Sequence, residues 1–403
     1  MRQAGDGFPR GMVRLRHFPF PRPLPVSVAT LTLCLTFSPP RVARAESGLS
    51  YHYEDYSETA GRIGVTTQSA LLQQDFGPDT SVRVNGVVDA IAGATPNGQP
   101  APAGSDQVVL TDMTDRRKAW GANVAHQFSA IGVDVGYNNS NESDYDSTGW
   151  SLNTTFGFNE KNTTVTAGAA GTNDKVKVFY QPAWADKRNL DFILGVNQLL
   201  NPLTSVTLNF TAGRATGYLS DPYKLVQKSV EVAPGIFLPF TYGENRPDER
   251  NRWALFLQFN RAYPDLKGAL EASYRFYHDT FGTDAHTVEF AWFQRVGAKV
   301  VLQPYARFYD QSAADFYYYN LDATNIRPVS GTPDPDGPFY SSDYRLSALR
   351  SYTYGLKAVW TIADRWQLNA SLSRYEMQGK DDVTPDSAYP RATIVTAGLK
   401  FTW

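Results

Sequence analysis

Apolar and polar residues alternate along most of this chain. The last stretch, Arg391–Trp403, reads RATIVTAGLKFTW and puts Val395, Ala397, Leu399, Phe401 and Trp403 on one face. Thr396, Gly398, Lys400 and Thr402 fall on the other. A period of two is that of a strand with one apolar and one polar face. In water such a ribbon at a sheet edge invites aggregation. In a closed barrel lipid takes one face and the lumen the other.

The same period recurs upstream, in Ile131, Val133, Val135 and Tyr137, in Leu190, Phe192, Leu194 and Val196, and in Trp253, Leu255, Leu257 and Phe259. Further cases are Leu270 to Phe276, Val288 to Trp292, Tyr354 to Trp360 and Trp366 to Leu372. Strands of about 10 residues, tilted near 45°, match the apolar band of a transmembrane barrel. Between them short turns such as Asn201–Leu203 and Gly297–Lys299 alternate with long polar loops such as Leu219–Glu249 and Tyr318–Leu346. The pattern predicts an all-β, antiparallel, up-and-down transmembrane barrel with long outer loops. Sixteen strands are expected, near 49–58, 61–75, 79–93, 117–128, 130–138, 147–158, 162–171, 188–201, 204–218, 250–262, 266–279, 284–297, 301–317, 347–361, 365–378 and 391–403. If the poorly alternating first pair is not strand, the number falls to fourteen. Repeated blade motifs, which would point to a propeller, do not recur.

Export comes next. Arg2, Arg10, Arg14, Arg16 and Arg22 precede an apolar run from Leu24 to Phe37, and Ala43-Arg44-Ala45 follows. This reads as a signal peptide cleaved after Ala45, leaving a barrel domain over residues 46–403. Removing residues 1–45 takes seven Arg and one Asp, so the net charge goes from −2 to −8. An acidic exported chain is a poor nucleic-acid binder. Cys34, the single cysteine, leaves with the signal, which excludes thiol, disulfide and Cys-metal chemistry from the mature chain.

Candidate chemistry is sparse. His52, His126, His278 and His286 show no metal-ligand spacing, and there is no nucleophile elbow, phosphate loop or dinucleotide fingerprint. His278 and His286 bracket a short outer loop, where a catalytic dyad or a hydrogen-bonded rim are the alternatives. Asp144-Tyr-Asp146 and Asp334-Pro-Asp-Gly337 are calcium ligands or solvated loop acids. If Tyr274, Phe290 and Phe308 face outward, Arg275, Glu289 and Arg307 face the lumen and form a charged row, with Glu289 opposite both cations. Glu271 and Tyr309 share that inner face, and Asp89, Arg83, Asp191, Arg252 and Lys357 add lumen charge. Such charges pair structurally, set selectivity, or do both.

Several stretches resemble a family of bacterial outer-membrane barrels known as domain of unknown function 3570. They are DAIAGATPNG at 89–98, SDPY at 220–223, RPDER at 246–250, YRFYHD at 274–279 with Ala285-His286-Thr287, YARFYDQSAADFY at 305–317 and SSDYRLS at 341–347. The resemblance implies a barrel in the Gram-negative outer membrane, and it implies no activity. The chain's aromatic end is also similar to the insertion signal of outer-membrane barrels, where Phe is the usual last residue. Most matching stretches fall at outer strand ends, so Asp89, Asp221, Arg246, Asp248, Asp315, Asp343 and Arg345 are expected to pin loops that fold inward. The expected function is a pore or conduit for small polar solutes, constricted by loops 219–249 and 318–346. The alternatives are a rim enzyme using His278 or His286, and a structural partner of an exported complex. No enzyme activity, cofactor or metal is expected. The expected partners are outer-membrane lipid, the machinery that inserts barrels, and a small polar solute.

Overall fold

The computed structural model describes residues 47–178, 181–329 and 331–403. The expected signal peptide and Cys34 lie outside them. Eight strands precede the middle of the chain: β1 (Gly48–Glu58), β2 (Gly64–Phe76), β3 (Thr80–Pro96), β4 (Leu110–Phe128), β5 (Ile131–Asn141), β6 (Tyr145–Phe158), β7 (Thr163–Lys177) and β8 (Trp184–Asn201). After β9 (Thr204–Gly217) comes a separate hairpin, β10 (Leu225–Ala233) and β11 (Ile236–Gly243). The wall resumes with β12 (Glu249–Tyr263), β13 (Gly268–Asp279), β14 (Asp284–Val296), β15 (Val300–Gln311), β16 (Leu349–Ala363), β17 (Trp366–Gly379) and β18 (Arg391–Thr402).

Every strand except β10 and β11 pairs antiparallel with its neighbours in one closed sixteen-strand barrel. The C-terminal strand closes it on β1, in register from Gly48↔Thr402 to Glu58↔Ala392. Closure leaves no unpaired edge, the condition for a sheet to cross lipid. The count is sixteen, and the weakly alternating first pair is strand.

The facing follows the alternation. Phe290 is 51% exposed, Tyr274 41% and Phe308 36%. Leu194, Phe210, Leu257, Leu356 and Leu372 are likewise exposed, while Ser151, Thr172, Thr353, Ser371 and Thr396 on the opposite face are buried. An outer surface this apolar fits hydrocarbon rather than water. Aromatic residues stand at both rims: Phe76, Phe128, Phe158, Trp366 and Trp403 at the short-turn end, Trp120, Tyr137, Trp150 and Trp253 toward the long loops. Trp120 and Phe128 lie eight residues apart on β4, roughly 26 Å of strand. Two girdles about an apolar band are expected where lipid head groups meet hydrocarbon.

Several boundaries depart from the sequence expectation. β4 begins at Leu110 rather than near 117, β7 runs on to Lys177, and β8 begins at Trp184. Beyond the bilayer a ladder of backbone hydrogen bonds needs no apolar alternation, so these polar extensions read as loop. β15 ends at Gln311 instead of 317, because Phe316 turns away and buries against Phe281, Ala314 and Leu346. The 219–249 segment is not a plain loop, since it contains the β10–β11 hairpin, paired from Leu225↔Gly243 to Ala233↔Ile236.

Candidate functional site

In the wall, Glu289 lies directly opposite only one of its two expected cations. Glu289 lies opposite Arg307, with Arg307 Nε 2.9 Å from Glu289 Oε1. On its other side Glu289 faces Ser273, and Arg275 faces Thr287. The expected Arg275–Glu289 juxtaposition is thus corrected by two residues of register. The Arg275 guanidinium lies over the Tyr277 ring, 5.6 Å from its centroid. Glu271 stands opposite Ala291, and Tyr309 donates from its hydroxyl to Gln311 Oε1 at 2.7 Å.

Other lumen charges pair across strands. Asp191 on β8 and Arg252 on β12 are joined over β9 by two contacts of 2.8 and 2.9 Å. Arg83 on β3 reaches Asp134 on β5. Asp89, expected both as a lumen charge and as a loop pin, lies in the wall, opposite and bonded to Arg117, with Arg117 Nε 2.6 Å from Asp89 Oδ2. It therefore ties β3 to β4 rather than pinning a loop.

At the long-loop end, a buried network joins segments 218–248 and 312–348. Arg345 donates from Nη2 to Asp221 Oδ2 at 2.6 Å and from Nε to both Asp343 oxygens at 2.7 and 2.8 Å. Arg246 reaches the same Asp343 at 2.9 Å and Glu244 at 2.6 Å. Lys224 donates to the Pro96 carbonyl at the end of β3. Three cations (Lys224, Arg246, Arg345) thus meet three carboxylates (Asp221, Glu244, Asp343). Burial alone would push the Asp343 carboxyl up, but Arg345, Lys224 and Arg246 more than offset it and hold it well below the usual carboxylate range. Burial raises Glu244 against the pull of Arg246, and it lowers the Lys224 ammonium. Paired backbone groups of Asn245 and Tyr340, at 2.8 and 3.0 Å, lace the two segments together.

Two further expected pins act through backbone. The Asp248 carbonyl accepts from Gly217 N at 2.8 Å, and Asp315 N donates to the Phe281 carbonyl at 2.8 Å. Neither carboxylate forms an ion pair among the described residues. Glu244, Lys224 and Arg250 were not singled out from sequence. Their signal was position: each lies within two residues of a Pro-containing stretch already marked, except Arg250, which ends RPDER itself.

Beneath this network lies a cavity of about 400 Å³. Its lining joins wall residues from around the barrel, among them Tyr56, Lys187, Arg252, Arg307 and Tyr375, to the loop residues Asp343–Leu346. The 312–348 segment therefore reaches across the mouth. Tyr344 is buried there with Val108, Leu349, Ala388 and Tyr389.

His278 and His286 face away from this cavity. His278 Nδ1 lies 2.7 Å from Asp284 Oδ1, and His286 Nδ1 lies 2.8 Å from the Tyr274 hydroxyl, both at exposed positions. Both rings contact outer aromatics, Trp253 and Phe276. Asp144 does not gather with Asp146. It clusters with Asp115 and Glu142, with one ligand atom from each lying within 4.8 Å of the others, and it accepts from the Tyr223 hydroxyl. Burial raises Glu142 to about 7.

No curated protein matches the chain in sequence. Among solved structures, the siderophore receptor PirA from Pseudomonas aeruginosa is 12% identical at a TM-score of 0.42, covering 89% of this chain and 61% of that one. A bacterial polysaccharide outer membrane secretin is 9% identical at 0.49, covering 90% and 99%. CdiB from Acinetobacter baumannii is 9% identical at 0.49, covering 89% and 60%. The chain thus spans about three fifths of the length of PirA and CdiB. These likenesses are too distant to bear on function. The family model described as "Protein of unknown function (DUF3570)" matches residues 24–390, and the chain belongs to that family.

Proposed function

We propose that the protein is a conduit for small polar solutes across the Gram-negative outer membrane, constricted at its mouth by the loops tied through Asp343. The observation that carries this reading is one cavity lined both by polar barrel wall and by the inward loop segment Asp343–Leu346. Sixteen strands leave room for an aqueous lumen, and the loops fill part of it. The apolar exterior with two aromatic rims supports a membrane setting. Export by the 1–45 signal is part of the proposal, as is insertion by the barrel-assembly machinery.

The rim-enzyme reading finds no support in the histidines. Each is engaged in a hydrogen bond on the outer surface, His286 with the Tyr274 hydroxyl and His278 with Asp284, away from the cavity.

Purified protein in a planar bilayer tests the conduit. Small ohmic steps are expected from the native chain, and larger ones once residues 318–341 are replaced by a short Gly-Ser linker. A barrel that migrates as folded on a gel yet passes no current in either form would overturn the reading.

A further inference from the structure

The wall of the cavity beneath the loops is rich in cations and tyrosines. Six cations line it, Lys187 on β8, Arg250 and Arg252 on β12, Arg307 on β15 and Arg246 and Arg345 of the loop network, against two carboxylates, Asp221 and Asp343. Tyr309, Tyr375 and Tyr56, with Ser351 and Gln311, also line it. Three of the cations are fixed in place. Arg252 is held by Asp191, Arg250 by Asp279 with its guanidinium 4.6 Å above the Phe281 ring, and Arg307 by Glu289 with its guanidinium 5.8 Å from the Tyr309 ring. These contacts engage only Nη2 of Arg252, Nε and Nη2 of Arg250 and Nε of Arg307. A planar guanidinium clamped on one edge keeps its other N–H groups pre-organised for an oxyanion.

Lys187 is different. It is 9% exposed, and its ammonium makes no hydrogen bond or ion pair among the described residues. Its ammonium lies over the Tyr145 ring, 5.7 Å from Nζ, and is drawn electrostatically by Asp174. Asp174 sits opposite it in register, but that carboxylate is taken up by Tyr145, Ser147, Thr172 and Asn189, at 2.6 to 3.2 Å. A largely buried ammonium whose nearest carboxylate is shared with four other donors is costly for a fold to keep. It adds a further positive group to a lining in which cations outnumber carboxylates by six to two.

We infer that this chamber is a binding site for a small solute carrying an oxyanion, carboxylate or phosphate, on a ring-sized body. Lys187 and the outward N–H groups of Arg252 and Arg307 take the oxyanion. The lining tyrosines take the body by ring contact and hydroxyl hydrogen bonds. A volume of about 400 Å³ suits one ring and its charged group. The inference deepens the conduit reading by naming the solute class, and it rests on that reading for its biological sense only.

Calorimetric titration of the detergent-solubilised barrel with benzoate, glucose 6-phosphate and glucose tests it. Binding of at least one anion and not of glucose is expected, and which anion binds tells carboxylate from phosphate. Lys187→Met should weaken that binding at least about tenfold, as for loss of a charge-assisted hydrogen bond. Lys187→Arg should retain it. Lys187→Met should also raise the melting temperature, since it replaces a largely buried ammonium with only a shared counter-charge by a thioether, whereas a purely structural lysine would lower it. Should that variant not assemble, Arg307→Gln provides the same comparison. Binding of neither anion, equal binding of glucose, or binding unchanged in the variants would overturn the inference. Conductance is read separately. A barrel that binds without conducting sinks the conduit alone, and one that conducts without binding sinks the anion site alone.

Discussion

Asp191 and Arg252 form their ion pair across an intervening strand, directly over Gly213. Asp191 on β8 and Arg252 on β12 both register with Gly213 on β9. A Cβ at that glycine would lie 1.9 Å from Asp191 Oδ1 and 3.1 Å from Arg252 Nε. The missing side chain is what lets the two charges meet. Gly213→Val should cost roughly 1–3 kcal/mol, as overpacking does, whereas Asp191→Asn should cost about 1 kcal/mol or less for a partly wet pair. Urea unfolding in lipid vesicles compares them, and equal losses would argue against the steric role of Gly213.

Neighbouring positions on β14 test the facing of the wall. Phe290→Arg puts a charge among lipid tails and should cost roughly 2–4 kcal/mol near the midplane. Glu289→Gln removes the partner of Arg307 in the lumen and should cost about 1 kcal/mol or less. It should also move the reversal potential in a salt gradient toward anion preference. The opposite ranking in vesicle unfolding would mean that the strand is inside out.

Asp343 is the shared carboxylate of Arg345 and Arg246. Asp343→Asn leaves two buried guanidinium groups short of a partner, a defect of about 3–5 kcal/mol. Because the defect lies in the loops, the barrel should still migrate as folded. Limited proteolysis should then cut within 318–341, and conductance should rise. An unaltered protease pattern would remove Asp343 from the constriction.

The same residue sets a pH dependence. Its folded pKa is depressed by the surrounding cations, so its contribution to loop stability is full above the ordinary carboxylate value of about 4. That contribution is lost as pH falls below this value. Glu244 works in the opposite sense, since burial raises it and its share shrinks as pH rises. Pepsin pulses between pH 2 and 5 should therefore cut the loops of the native chain increasingly toward the acid end. In Asp343→Asn that slope should flatten, and a slope unchanged in the variant would assign it elsewhere.

His278→Ala with His286→Ala should leave conductance and anion binding unchanged, with a stability loss of about 1 kcal/mol or less. Both rings hydrogen-bond on the outer surface, to Asp284 and Tyr274. Altered current in the double variant would place them in the solute path.

The sequence by itself determined the barrel, its parity and its facing. A strand buried in lipid on one side and facing water on the other must alternate at every second residue, and turn lengths must alternate with direction. Phe290 out and Glu289 in were readable for that reason. It did not determine register: Arg275 meets Thr287 because the β13–β14 connection shifts the pairing by two residues. Periodicity carries no information about that offset. Nor did it reveal the polar strand extensions, where backbone pairing continues with no apolar signal. The loop network was legible only as a set of Asp and Arg beside prolines. That Arg345 chooses Asp221 and Asp343, 124 and 2 residues away, is decided by how the chain closes in space. Lys187 was invisible in the sequence altogether, since its isolation depends on Asp174 being claimed by four other side chains.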